Sequence, residues 1–176
     1  AIDNIPPITI PNRPKKSQRK KKVTDASNKL LAIHGAIYKR YENDPFYKSL
    51  FLFAFSGRRW NEIKTLQWKS IDLSNSKYTI EAKYNKIGEA QDYFLSDEIK
   101  IALEEMNTNK EGLVFVSPVT GKALDTPRRQ LAKIKEDTGI EELTMHYFRH
   151  ILVTALGEFG VAQTVMSASL GHTRAD

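Results

Sequence analysis

No cysteine occurs among the 176 residues, which excludes disulfides and thiolate metal sites. Histidine is scarce as well: the four, His34, His146, His150 and His172, are scattered without ligand-like spacing, so neither a metal nor any other cofactor is expected. No apolar run approaches the roughly 20 residues that a spanning helix needs, and no signal-peptide pattern opens the chain. The sequence therefore reads as a soluble, cytoplasmic protein without a membrane partner. Internal repeats are lacking, and the one biased tract is a short basic arm.

That arm holds most of what is unusual in the composition. The net charge is +6 and the isoelectric point near 9.4, which favours a polyanionic partner, because Lys and Arg gain affinity by displacing counterions from phosphates. RPKKSQRKKK carries seven of the basic residues, Arg13, Lys15, Lys16, Arg19, Lys20, Lys21 and Lys22, and no acidic one, leaving the remainder of the chain near minus one. Four of the seven prolines, Pro6, Pro7, Pro11 and Pro14, precede or open the run. Residues 1–23 thus read as an extended linker or arm, either a solvated tail or a segment that tracks a DNA backbone. In the second case it supplies affinity and no sequence readout. Residues 24–176 are long enough for one globular domain, with a hydrophobic share of 40% to build a core.

The periodicity predicts a mostly α domain with a small antiparallel β-sheet. Thr24 or Asp25 caps a helix through about Tyr41, with Leu30, Ile33, Ile37 and Tyr41 on one face. Asp44 and Pro45 start a second helix, and the run from Phe46 to Phe55 is so apolar that it belongs at the centre of the core, with Gly57 ending it. A short helix is expected over 61–68, then strands over 78–83 and 91–95 joined through Asn85 to Glu89. Ser96 caps a helix carrying Ile99, Ile101, Leu103 and Met106, and 113–116 is a brief buried stretch before the PVTGK turn. Pro127 opens another helix, and two more are expected over 144–158 and 161–170.

Three separated segments place a cation or an imidazole beside a glycine turn or a helix start. In SGRRWNEI, Arg59 and Glu62 are three apart and share a helical face, which by itself suits a surface ion pair. In HYFRH, His146 and Arg149 lie one turn apart and project to one side, while His150 is assigned to packing. In LGHT, His172 follows a helix end marked by Gly171, where a capping role is the plainer reading.

Taken together and in order, the segments resemble the signature of tyrosine recombinases and phage integrases. The family's first box, TG, any residue, Arg, two residues, Glu, reads here Ser56, Gly57, Arg58, Arg59, Trp60, Asn61, Glu62. HxxRH reads His146 to His150, and LGH reads Leu170, Gly171, His172. The family's active-site lysine sits on a β-hairpin between the first two boxes, where Lys86 lies, with Lys83 as the neighbouring alternative. Ser56 replaces the usual Thr, Arg58 adds a charge beside Arg59 and is read as a DNA or surface contact, and the proline usual in the following strand is absent at Tyr93.

The resemblance implies the tyrosine recombinase catalytic fold and site-specific recombination of double-stranded DNA by metal-free transesterification. A phosphodiester under attack develops charge on its non-bridging oxygens, which fixed cations must meet. Arg59 and Arg149 would clamp the phosphate, Lys86 would protonate the leaving 5′ oxygen, and His146 and His172 would assist proton transfer, with Glu62 in support. The family's nucleophilic tyrosine follows the LGH histidine by about nine residues on a further helix, whereas this chain stops four residues after His172. The chain alone is therefore expected to be inactive. The resemblance also implies a homo-tetramer on DNA, an amino-terminal domain that completes a C-shaped clamp, a bacterial or phage-encoded origin and a nucleoid-associated setting, with no small-molecule substrate. A type IB topoisomerase uses a similar set of groups, and a catalytically silent DNA-binding module of the same fold is the alternative of a different class.

Overall fold

The second helix organises the molecule. In the computed structural model, which describes residues 25–106 and 108–171, helix α1 spans Ala26–Arg40 and α2 spans Pro45–Phe55. Asp44 accepts a hydrogen bond from the Tyr47 amide at 3.1 Å, and Pro45 takes the first helical position, where a missing N–H costs nothing. Every residue from Ser49 to Ala54 is buried, as an all-round apolar helix requires. Phe51 stacks on Phe148, while Phe53 meets Tyr78 and Phe115 edge-on, so α2 is packed on several sides by aromatic rings.

After α2 come the short helix α3 (Trp60–Lys64) and a 3-10 turn at Trp68–Ser70. A three-stranded antiparallel sheet follows, ordered β1 (Ile71–Asp72), β2 (Lys77–Ile80) and β3 (Gln91–Phe94). Tyr78 pairs with Tyr93 in register, and a second 3-10 turn, Ala82–Tyr84, lies in the β2–β3 connection. Helices α4 (Asp97–Glu105), α5 (Arg128–Thr138), α6 (Tyr147–Glu158) and α7 (Gln163–Ser169) complete the fold. Helix α1 packs on α6, α5 and α2, and α2 packs on α4 and α6. The mostly α class with a small antiparallel sheet is as the sequence predicts.

Several local expectations are corrected. The expected helix over 61–68 stops at Lys64, because the backbone beyond it is drawn into pairing with a distant loop: Val114 N donates to Leu66 O and Trp68 N to Gly112 O, both at 2.9 Å. Strand β1 was not anticipated, and β2 ends three residues early at the 3-10 turn. Ile101 is exposed, with Ala102 taking the buried place beside Ile99 and Leu103. Regular helix in α6 begins at Tyr147, preceded by a turn in which Thr144 Oγ1 accepts from Tyr147 N. The basic arm with its domain boundary, Thr24 and His172 lie outside the described residues. Among those described, no helix is long and apolar enough to cross a membrane, and no group of three or more His, Asp or Glu side chains gathers as a metal would require.

The start of α1 is capped from far along the chain. Asp25, expected as the cap, sits at φ 57° and makes no cap bond; its carboxylate accepts instead from the Asn28 side chain. The amides of Ala26 and Ser27 donate to the two oxygens of Glu158, at 3.1 and 2.9 Å, and the Ser27 hydroxyl adds a third bond. These bonds, that from the Ser27 hydroxyl first, hold the Glu158 carboxyl below its ordinary value of 4.5. A depressed carboxyl contributes stability above the unfolded value and loses it as pH falls through the folded one. Glu158→Ala is therefore expected to lower the melting temperature at neutral pH, with the gap to the parent narrowing as pH drops below about 4.5. A gap unchanged by pH would show that the carboxylate charge is not what caps α1.

Candidate active site

Helix α2 ends in a Schellman motif that builds the first part of the site. Gly57 N donates to Ala54 O at 2.9 Å and Arg58 N to Phe53 O at 3.2 Å, with Gly57 at φ 83°. Glycine is required here twice over. The left-handed backbone disfavours any side chain, and a Cβ would stand 2.6 Å from Leu170 Cδ2 and 2.9 Å from Leu152 Cδ2. The turn leaves the Gly57 carbonyl free of helical bonding, where Arg149 reaches it, and sets Arg58 and Arg59 side by side.

Arg59 stands at the start of α3, where Glu62 reaches back to it. Glu62, 1% exposed, accepts from the Arg59 amide at 2.9 Å and from Arg59 Nη1 at 3.0 Å. The expected surface pair is thus a part-buried one whose carboxylate is fully enclosed, and it fixes both the backbone and the guanidinium of Arg59. Arg58 lies 3% exposed, below the surface on which a DNA or solvent contact was expected. Its guanidinium covers the Tyr93 ring at 3.8 Å, Tyr93 stacks on Tyr78, and Nη2 donates to Ser169 O at 2.5 Å. Nε and Nη1 of Arg58 are buried and have no hydrogen-bond partner among the described residues.

Arg149, on α6, ties the two ends of the site together. Nη1 donates to Gly57 O at 2.7 Å and Nη2 to Leu170 O at 3.1 Å, with the side chain 7% exposed. The carboxyl end of α7, with its partial negative charge, therefore meets two guanidinium groups, Arg58 at Ser169 and Arg149 at Leu170. Burial, then the charges of Arg59 and Arg58, push Arg149 down to about 10. Three arginines from two chain segments thus lie close together with the single carboxylate Glu62 paired to Arg59, among the described residues an excess of positive charge suited to an anion.

The remaining candidates surround this cluster in the sequence and are placed by separate elements. His146 is exposed at the start of α6. His150, assigned to packing, is exposed too, with its ring edge-on to His146 at a centroid distance of 4.5 Å. Lys86 is exposed in the connection between β2 and β3. Lys83 pairs with Glu81 at 3.0 Å, whereas among the described residues no carboxylate pairs with Lys86. Gly171, at φ 65°, packs so closely on β3 that a Cβ would come 2.0 Å from Tyr93 Oη and 2.4 Å from Gln91 Oε1. The strand carrying Tyr93 thereby reaches the turn that precedes His172. A cavity of about 590 Å³ at the other end of α2, lined by apolar groups such as Phe46, Trp68 and Leu113 together with polar ones such as Asn109 and Lys110, shares no residue with the arginine cluster.

The model of the phage integrase family matches residues 22–176. The chain belongs to that family. Its fold is that of the tyrosine recombinase catalytic domain: it is similar to the XerA recombinase structure at 21% identity over 94% of this chain and 58% of that one, with a TM-score of 0.66. The XerH site-specific recombinase in its post-cleavage complex with difH gives 22% identity, 92% and 49% coverage, and a TM-score of 0.69. The Tn1549 transposon integrase bound to transposon right-end DNA gives 15% identity, 90% and 60% coverage, and a TM-score of 0.63. This integrase-family chain therefore spans between about half and three fifths of these proteins. No curated protein matches it.

The close approach at Gly57 yields a test of how the site is assembled. Gly57→Ala is expected to cost about 2–4 kcal/mol in urea unfolding, combining backbone strain with overpacking. Gly88, at φ 74°, has nothing within 4 Å of the Cβ it would gain, so Gly88→Ala carries the backbone cost alone. Equal losses for the two variants would show that α2 and α7 do not depend on contact at Gly57.

Proposed function

We propose that this chain is the catalytic domain of a site-specific DNA recombinase, cleaving and rejoining strands through a 3′-phosphotyrosyl link. The observation that carries the reading is the arginine cluster: Arg59, fixed by buried Glu62, beside Arg149, whose charge is disfavoured by burial and by its neighbours. An anion entering the cluster relieves that cost, and a phosphodiester developing charge on its non-bridging oxygens relieves it most in the transition state.

In the proposed reaction a tyrosine carried beyond Asp176 attacks the scissile phosphorus. Its hydroxyl proton passes to the imidazole pair, His146 and His172, and the 5′ oxygen leaves with a proton from the Lys86 ammonium. Arg59 and Arg149 hold the non-bridging oxygens with planar, permanently charged groups. The phosphotyrosyl bond conserves the energy of the broken phosphodiester, so attack by a 5′ hydroxyl of a second strand rejoins the DNA without a nucleotide cofactor. The exposed Lys86 and the carboxylate-bound Lys83 support the choice between them. The basic residues from Arg13 to Lys22 suit backbone contact along double-stranded DNA, and the proposal includes assembly of the full protein as a homo-tetramer on paired sites.

A version of the protein extended past Asp176, incubated with nicked DNA that traps the covalent state, is expected to give a protein band shifted by attached DNA. Arg59→Ala should abolish the shifted band and lower the log–log salt slope of DNA binding by about one. Arg149→Lys should also abolish it, with circular dichroism verifying the fold, because a lysine cannot span the Gly57 and Leu170 carbonyls in one plane. Cleavage that survives both substitutions would rule out the phosphate clamp, and undiminished binding without any adduct would indicate a silent DNA-binding module.

A further inference from the structure

The loop that presents Lys86 is tied to the arginine cluster by a short chain of neutral polar groups. Asn85, 7% exposed, closes the loop that carries Lys86: its Nδ2 donates to Glu89 O at 3.0 Å, and its Oδ1 accepts from Ile87 N at 3.3 Å. The same Nδ2 donates to Gln91 Oε1 at 3.0 Å, and that oxygen also accepts from the Tyr93 hydroxyl at 2.5 Å. Gln91 and Tyr93 alternate with Asp92 on β3 and so share one face of the strand. That face lies against Gly171, and the Tyr93 ring carries the Arg58 guanidinium. The chain thus runs from the base of the Lys86 loop to the wall formed by Arg58 and the end of α7. Gln91 is its junction, accepting from both sides.

We infer that Gln91, through Asn85 and Tyr93, is a positioning residue that sets where Lys86 stands relative to the arginines that hold the phosphate. The inference rests on reading Lys86 as the proton donor. Gln91 touches no substrate and acts only through the loop. Hydrogen bonds in such a chain are directional, and a glutamine oxygen that accepts two of them leaves the loop one favoured arrangement. Removing that acceptor frees Asn85 to turn and the loop to sample positions from which the ammonium does not meet the leaving oxygen. No member of this chain carries charge, so its action on Lys86 is one of placement and not of electrostatics.

The test separates loss of proton donation from general damage. In the extended protein, cleavage is measured on two nicked duplexes that differ only in the bridging atom at the scissile link, 5′ oxygen or 5′ sulfur. A thiolate leaves without protonation, so a defect confined to the proton donor disappears on the sulfur substrate. Lys86→Ala is the reference and is expected to be restored by sulfur. Gln91→Leu should lose on the order of tenfold on the oxygen substrate, a fraction of what a general acid supplies, and stay within about twofold of the parent on sulfur. Where Gln91→Leu melts too low to assay, Tyr93→Phe, which removes only the hydroxyl, is read in its place with the same expectation. No loss, or equal loss on both substrates, overturns the inference while leaving Lys86 as the donor. Failure of sulfur to restore Lys86→Ala instead overturns the assignment of Lys86, and the role of Gln91 falls with it.

Discussion

The site depends on one guanidinium held by two carbonyls. Arg149 Nη1 takes Gly57 O, at the end of α2, and Nη2 takes Leu170 O, at the end of α7. A planar fork with fixed donor directions demands that both carbonyls stay in place, so the ends of two helices more than a hundred residues apart are set by one side chain. The cost is visible in the lowered proton affinity of Arg149, which burial and the neighbouring Arg59 and Arg58 push down to about 10. Burying a cation beside like-charged neighbours costs free energy, which its bonds to the two carbonyls and the nearby Glu62 carboxylate offset in part.

Glycine and aromatic residues make that arrangement possible at close quarters. Gly57 and Gly171 sit at positive φ, and each faces a side chain that leaves no room for a Cβ. Between them, Arg58 is clamped by the Tyr93 ring and the Ser169 carbonyl, so it acts as a strut inside the wall while adding its charge to the cluster. An arginine at this position is thus compatible with burial because a stacked ring and a helix end replace part of its hydration.

Much of this was legible in the sequence wherever the signal is local. Asp44 with Pro45 marks the start of α2, Ser96 caps α4 through the Ile99 amide, and the apolar run from Phe46 lies at the core as its composition requires. The ordered boxes around Arg59, Arg149 and Gly171 bring those residues together, since the motif encodes a geometry and not a propensity. Signals that depend on distant partners were not legible. A two-residue strand at Ile71 and Asp72 shows no periodicity, and α3 stops where Leu66 turns to pair with Val114. The burial of Arg58 depends on a tyrosine ring on β3, and the links among Asn85, Gln91 and Tyr93 follow no spacing rule, because amides and hydroxyls are ordinary loop and strand residues until placed. His150 was misplaced for a simpler reason: it lies four residues after His146, which puts both rings on one helical face, here an exposed one.

The cap that Glu158 provides for α1 bears on how the protein comes off the ribosome. The amides it satisfies, at Ala26 and Ser27, are made 132 and 131 residues before it. At synthesis rates of roughly 5–20 residues per second, the first helix waits on the order of ten seconds for the side chain that closes its open end. Helix α1 also packs chiefly on α6 and α5, the late part of the chain. Helix α1 is therefore late to lock, so nascent chains that end before Glu158, released early, carry α1 uncapped and short of its main packing partners, as a ready target for proteolysis.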